Sequence, residues 1–326
     1  MKQRKEIVID RIKHCLKKIA IIRGAYALFR RLVLEEISVN NPFGRRNDQP
    51  VYIIRRYGGA GFFSNFLFVL GHIIYAEEHG YVPVVDMKHY TTPYNEKKKI
   101  HGTKNAWEYY FEQPAGVSLK EAYKKRRIVL SSDKMLFDKV PYYSVKESKF
   151  PDYDEVEKLR PYIQKYISVK PELQQEAEAF VKSLRGSVLG VHIRGTDMNY
   201  APDHPRPPSV EMFAETIDKL EDQYQHILLC TDEQEILEKM KARYGEKIVF
   251  SNAYRSEDSS SIHNNVPKTH RALHRYMSGR EVMIDMLLLS KCGAIVCGYS
   301  NVPYAAILMN GNKYDSVHLL KNSKKI

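Results

Sequence analysis

The sequence is poor in the features that mark secretion, a structural metal or a membrane span. Its 326 residues include four cysteines, Cys15, Cys230, Cys292 and Cys297, with no C-x-x-C pair and no histidines at zinc spacing. A disulfide scaffold and a zinc motif are therefore excluded, and the cysteines beside apolar runs, Cys230 and Cys292, are expected as buried thiols. No stretch holds 18 or more unbroken apolar residues; the charge-free run from Cys292 to Asn312 is interrupted by Ser300, Asn301 and Pro303. The first residues are charged and lead to no apolar segment with a small-residue cleavage site. A reduced, cytoplasmic protein is expected. The sequence also lacks a complete G-x-G-x-x-G and a G-K-[ST], which argues against a dinucleotide-dependent dehydrogenase and a P-loop nucleotide triphosphatase.

What is present begins with charge. Lys and Arg number 51 against 39 Asp and Glu, a formal net charge of +12. Anionic partners are implied: phosphorylated small molecules, an anionic membrane or nucleic acid. The excess is concentrated in residues 1–35, where Ile9, Ile12, Leu16, Ile19 and Ile22 recur at near-helical spacing among the cations. Such a basic amphipathic helix suits the anionic inner face of a membrane, and no nucleic acid is expected as partner. Residues 36–50 read as a linker. The remaining length suits two domains of about 150 residues. The division expected is 1–48 for the basic segment and linker, 49–185 for a first domain and 186–326 for a second.

The chain is organised around S-V-L-G-V-H-I-R-G-T-D, residues 187–197. Ser187 to Ile193 is a short, β-branched apolar run, as expected of a buried parallel strand. His192 and Arg194 end it and Asp197 lies just beyond. In open α/β sheets ligands bind outside the carboxyl ends of strands, and a guanidinium there suits a phosphate. From residue 187 onward strands and helices alternate. Upstream, a strand over 51–57, the loop Gly58-Gly59-Ala60-Gly61, a helix from Phe62 and a strand over 81–86 form a second such unit. Gly59 and Gly61 would let a backbone approach a ligand. The fold class expected is α/β, two Rossmann-like, doubly wound domains facing a cleft. Trp107 lies in an aromatic cluster, W-E-Y-Y-F, that reads either as core packing or as a stacking platform for an acceptor sugar. Asp152-Tyr153-Asp154 is formally a metal-binding D-x-D, but no strand precedes it, and a helix N-cap explains it better.

Together these residues resemble the fucosyltransferase superfamily built on an H-x-R-x-x-D strand end. Gly190 to Asp197 looks like its first motif. Asp285 to Asn301 looks like its D-x-x-x-L-S block with the following strand and serine turn, and Leu228 to Asp232 is similar to its L-A-T-D strand. The resemblance implies a GT-B glycosyltransferase, inverting and metal-independent, with GDP-β-L-fucose as donor and no cofactor. It places Arg194 on the β-phosphate, His192 and Asp285 at the guanine, and Ser300 and Asn301 at the diphosphate, with Thr231, Asp232, Gly59 and Gly61 also on the donor side. The acceptor would be a glycan or lipid-linked saccharide of bacterial surface polysaccharide assembly, met by Trp107 and His204. The general base has no motif; Asp203 ranks first, then Asp197 and His204, and Asp197 is alternatively an anchor for the loop after Arg194. Where some members carry a second Arg and then T-D-K, this chain has Gly195 and Met198, so that charge comes from elsewhere, with Arg206 and Arg56 as candidates, or is absent. The alternatives are another GDP-sugar, a metal-dependent GT-A transferase using Asp152 and Asp154, and a membrane-associated scaffold.

Overall fold

The computed structural model describes residues 34–44, 49–141, 152–196, 207–260, 262, 270–311 and 313–321. Most of the basic segment lies outside the described residues. Two sheets organise the rest. The first contains β1 (Ile37–Asn40), β2 (Val51–Ile54), β3 (Val82–Val85) and β4 (Arg127–Leu130), in the order β1-β4-β2-β3. Strands β2, β3 and β4 are parallel, and β1 runs antiparallel along the edge of β4. The second contains β5 (Val188–Ile193), β6 (His226–Thr231), β7 (Ile248–Val249), β8 (Ala294–Cys297) and β9 (Ser316–Leu319), all parallel, in the order β7-β6-β5-β8-β9. This is the expected α/β architecture of two Rossmann-like sheets.

The helices are α1 (Phe62–Glu78), α2 (Leu119–Ala122), α3 (Tyr153–Tyr166), α4 (Pro171–Ser183), α5 (Val210–Ile217), α6 (Gln234–Tyr244), α7 (His274–Leu289) and α8 (Asn301–Asn310). Helices α1 and α8 are apolar almost all round because each is covered on all sides, α8 being buried from Val302 to Leu308. Strand alternation divides the core. Tyr52 and Ile54 of β2 face a large cluster that runs through α1, α3, α4, α7 and α8 to Leu228, Cys230 and Ile295 of the second sheet. Val51 and Ile53 face a small cluster behind the first sheet, and Leu189, Val191 and Ile193 face another behind the second. The two sheets therefore share one continuous core.

Two expectations change, and the N-cap reading of Asp152 holds. The linker over 36–50 contains β1, whose pairing with β4 holds a segment too polar to announce a strand. Helix α4, expected with the first domain, packs on α7 of the second, while α3 packs on both α1 and α8. The boundary near residue 185 thus follows two helices that join the halves. Finally, Asp152 is a helix N-cap: it accepts the Glu155 N–H at 2.8 Å, and the Glu155 carboxylate accepts the Asp152 N–H at 3.1 Å. Its carboxylate is turned onto α3 and Asp154 lies within the first turn, so the D-x-D metal reading has no pair to stand on.

The join between the halves is tight at Gly279. Tyr110, buried and stacked on Tyr276 at 5.7 Å, donates its hydroxyl to the Tyr276 carbonyl at 2.9 Å. A Cβ at Gly279 would meet that hydroxyl oxygen at 2.3 Å and Phe62 at 3.1 Å. Helix propensity alone would favour Gly279→Ala by about 1 kcal/mol. The clash with a rigid, enclosed ring outweighs it, since overpacking costs about 1–3 kcal/mol. Thermal unfolding should show a lower Tm for Gly279→Ala, and an unchanged or raised Tm would mean that the interface has slack.

Candidate functional site

In the second sheet the chain steps from β5 to β6 and β7 on one side, then crosses to β8 and β9 on the other. The order reverses between β5 and β8, the position at which open α/β sheets form a crevice at their carboxyl ends. Residues 192–196 leave β5 there, Thr231 to Glu233 leave β6, and Gly298 to Asn301 leave β8. His192, Arg194, Thr231, Asp232, Ser300 and Asn301 are thus brought to one end of one sheet.

Burial controls His192. It is 6% exposed, opposite Cys230 on one neighbour and Cys297 on the other. Desolvation lowers its pKa to about 4, with Asp232 opposing the shift and Arg194 adding to it. The imidazole is therefore neutral at pH 7. Its Nδ1 is buried and, among the described residues, has no hydrogen-bond partner. Asn301 Oδ1 is in the same condition at the start of α8. Ser300 provides no side-chain cap for that helix. Helix α8 thus presents the positive end of its dipole to the crevice, an arrangement that favours an anion.

The loop after β5 is held by two carboxylates from the end of β6. Asp232 accepts the Gly195 N–H at 2.8 Å and the Thr196 hydroxyl at 2.7 Å, and lies 2.5 Å from Arg194 Nη1. Glu233, 7% exposed, accepts the Thr196 N–H at 2.6 Å. Thr196 is buried with φ at 45°, a left-handed conformation rare for a β-branched residue, so the surrounding bonds over-determine it. A Cβ at Gly195 would fall 2.4 Å from Glu233 Cδ. Asp232, expected on the donor side, has its two oxygens on three protein donors. Glu233 carries no motif signal of its own; the register of Ile193 opposite Thr231 brings T-D-E beside R-G-T.

Asp285 lies on α7, on the same face of the sheet as His192. Cys230, the cross-strand partner of His192, has its Sγ 3.8 Å from the Asp285 carbonyl. The Asp285 carboxyl is buried and takes the Ser251 hydroxyl at 2.5 Å. Burial raises its pKa to about 6, against the lowering effects of Ser251 and the Arg255 charge. Arg255, also buried, donates to the carbonyls of Ser251 and Ala253, each at 3.0 Å, and its Nε has no partner among the described residues. Ser251 and Arg255 escaped the sequence reading because S-N-A-Y-R after a short strand resembles any polar loop.

The other expected residues are placed differently. Gly59, with φ at 62°, makes its close approach to the chain itself, its Cβ position lying 2.9 Å from Thr92. Nothing lies within 4 Å of a Cβ at Gly61, which precedes α1. Arg56 donates to the Ser64 carbonyl at 2.7 Å and lies over the Phe68 ring, tied to α1. Trp107 is 3% exposed, stacked on Phe111 at 4.3 Å, with its indole N–H on the Glu112 carbonyl. It is core, and offers no open face to a sugar. Asp197, Asp203, His204 and Arg206 lie outside the described residues.

No family model and no curated protein matches the chain. Solved structures do. The fucosyltransferase NodZ from Bradyrhizobium superposes with a TM-score of 0.47 at 16% identity, covering 80% of this chain and 94% of that one. An Arabidopsis thaliana FUT1 mutant in complex with GDP gives 0.48 at 11% identity, over 87% of this chain and 73% of that one. POFUT1 in complex with GDP gives 0.45 at 11%, over 83% and 98%. The chain is similar to fucosyltransferases of known structure. At Gly195 the Glu233 carboxylate occupies the space that any side chain would need.

Proposed function

We propose that this chain transfers fucose from GDP-β-L-fucose to a hydroxyl of a glycan or lipid-linked saccharide, in one inverting displacement that requires no metal. The observation that carries the reading is a guanidinium, Arg194, at the switch point of a parallel sheet whose next crossover helix, α8, starts uncapped at the same crevice. When the glycosidic bond breaks, negative charge develops on the departing diphosphate. A fixed cation and a helix N-terminus stabilise that charge without reorganising. His192, neutral and with an open Nδ1, can hydrogen-bond the nucleotide as donor or acceptor.

Guanine differs from adenine in presenting an N1–H and an exocyclic amine side by side. A buried carboxylate accepts both, which is the role proposed for Asp285, oriented by Ser251. Ser300 and Asn301 would bond the diphosphate. The acceptor hydroxyl must lose its proton to a carboxylate or imidazole. Asp203 is the first choice, by its place in the loop after the strand, with Asp197 and His204 next. The basic segment 1–35 would bring the enzyme to the inner face of the membrane, where lipid-linked acceptors of surface polysaccharide assembly reside.

Calorimetric titration in EDTA with GDP, UDP, ADP and CDP tests the reading. GDP-selective binding that survives EDTA is expected. A preference for UDP, or binding that appears only with Mn²⁺, would reject it. Donor analogues then separate fucose from other GDP-linked deoxy sugars or heptoses.

A further inference from the structure

We infer that Asp232 is a positioning residue that aims Arg194, and is not a contact of the donor; this rests on the phosphate-site reading of Arg194. Strands β5 and β6 are in register with Ile193 opposite Thr231, so the residues that follow each strand emerge side by side. The Asp232 side chain is 12% exposed and faces three consecutive residues of the neighbouring loop. Oδ1 takes the Gly195 N–H at 2.8 Å, and Oδ2 takes the Thr196 hydroxyl at 2.7 Å and Arg194 Nη1 at 2.5 Å. A carboxylate has about four lone-pair sites, and three donors of one loop occupy this one.

The arrangement fixes direction as well as distance. A short charge-assisted bond to a planar guanidinium sets the plane of its remaining N–H groups. The backbone behind it cannot adjust, because Glu233 holds Thr196 N–H at 2.6 Å and excludes any side chain at Gly195. The carboxylate thus constrains the orientation of the Arg194 guanidinium, whose side chain is 28% exposed. The Asp232 charge also opposes attraction of a diphosphate, so its value lies in orientation and not in affinity.

That opposition makes the inference testable with Asp232→Asn, which keeps the shape and an acceptor oxygen. Turnover should fall about ten- to a hundredfold, the usual penalty for a misplaced catalytic group, while the GDP Kd stays unchanged or tightens because a negative charge has gone. In an Arg194→Ala background the same change should alter turnover by less than about twofold, since its effect passes through the guanidinium. NMR of the Arg194 guanidinium should show restricted rotation in the intact protein and faster rotation in Asp232→Asn. A Kd weakened tenfold or more with turnover retained would make Asp232 a donor contact and overturn the inference, leaving the transferase reading intact. Equal guanidinium rotation in both proteins would overturn it also. If the intact protein bound no nucleoside diphosphate, the phosphate reading would fail and the NMR comparison would still decide whether Asp232 aims Arg194.

Discussion

Arg194→Ala should lower turnover about a hundred- to a thousandfold. The magnitude is that of removing one preorganised donor from a site where charge develops. Arg194 is 28% exposed at its side chain, and what the fold loses with it includes the ion pair to Asp232. Its loss leaves Asp232 with the Gly195 N–H and the Thr196 hydroxyl, which still hold the loop. The α8 N-terminus remains, and accounts for residual activity. Arg194→Lys separates charge from geometry: an ammonium restores the charge but not the two-pronged donor, so recovery should be partial. The measurement is single-turnover transfer of sugar from GDP-fucose at saturating donor, which reports the chemical step. Turnover within threefold of the intact protein would remove Arg194 from the mechanism, and with it the observation on which the proposed function stands.

Much of this site was legible because it uses signals confined to one strand. V-L-G-V-H-I is apolar, β-branched and buried at every position, and the chemistry begins where the apolar run ends. What escaped depends on partners far away in the chain. Glu233 matters only because β6 lies beside β5, and Ser251 only because it meets Asp285 on α7. Helix α7 shows the same limit. Its first turn, H-R-Y-M, has no capping residue before it, and Leu273 precedes it with φ at 52°. No capping residue or turn signal in the sequence announces a start at His274. The turn forms because Glu96, from the first half, accepts the Tyr276 N–H at 3.1 Å and Arg275 donates to the Pro93 carbonyl at 3.1 Å. Trp107 illustrates the reverse case. Its aromatic neighbours suited a sugar platform as well as a core, and only burial decides.

Asp285→Asn should stabilise the fold at neutral and alkaline pH while weakening guanine recognition. The carboxyl has its folded pKa raised from 3.8 to about 6, chiefly by desolvation. Between those values the folded state binds more protons than the unfolded one, so this group favours folding below pH 4 and the contribution is lost as pH rises through 6. At pH 8 the ionised group therefore costs about 3 kcal/mol, taking 1.36 kcal/mol per unit. Asparagine removes that penalty and still accepts the Ser251 hydroxyl, although Arg255 loses a favourable neighbour. A gain of about 1–3 kcal/mol at pH 8 is expected, shrinking toward zero at pH 4. His72 and His192, each buried with a pKa near 4, act in the opposite sense, stabilising the fold above pH 6.5 and ceasing to do so as pH falls toward 4. They are common to both proteins and cancel in the difference. Ligand binding should change the other way. A carboxylate takes both guanine donors, so the intact protein should prefer GDP to IDP, which lacks the exocyclic amine; in Asp285→Asn GDP affinity should fall about tenfold or more and that preference should largely vanish. Urea titrations at pH 8 and pH 4, paired with GDP and IDP calorimetry, measure both effects. A variant less stable at pH 8 with GDP preference intact would make Asp285 a purely structural carboxylate, and base recognition would have to be sought elsewhere on the crevice.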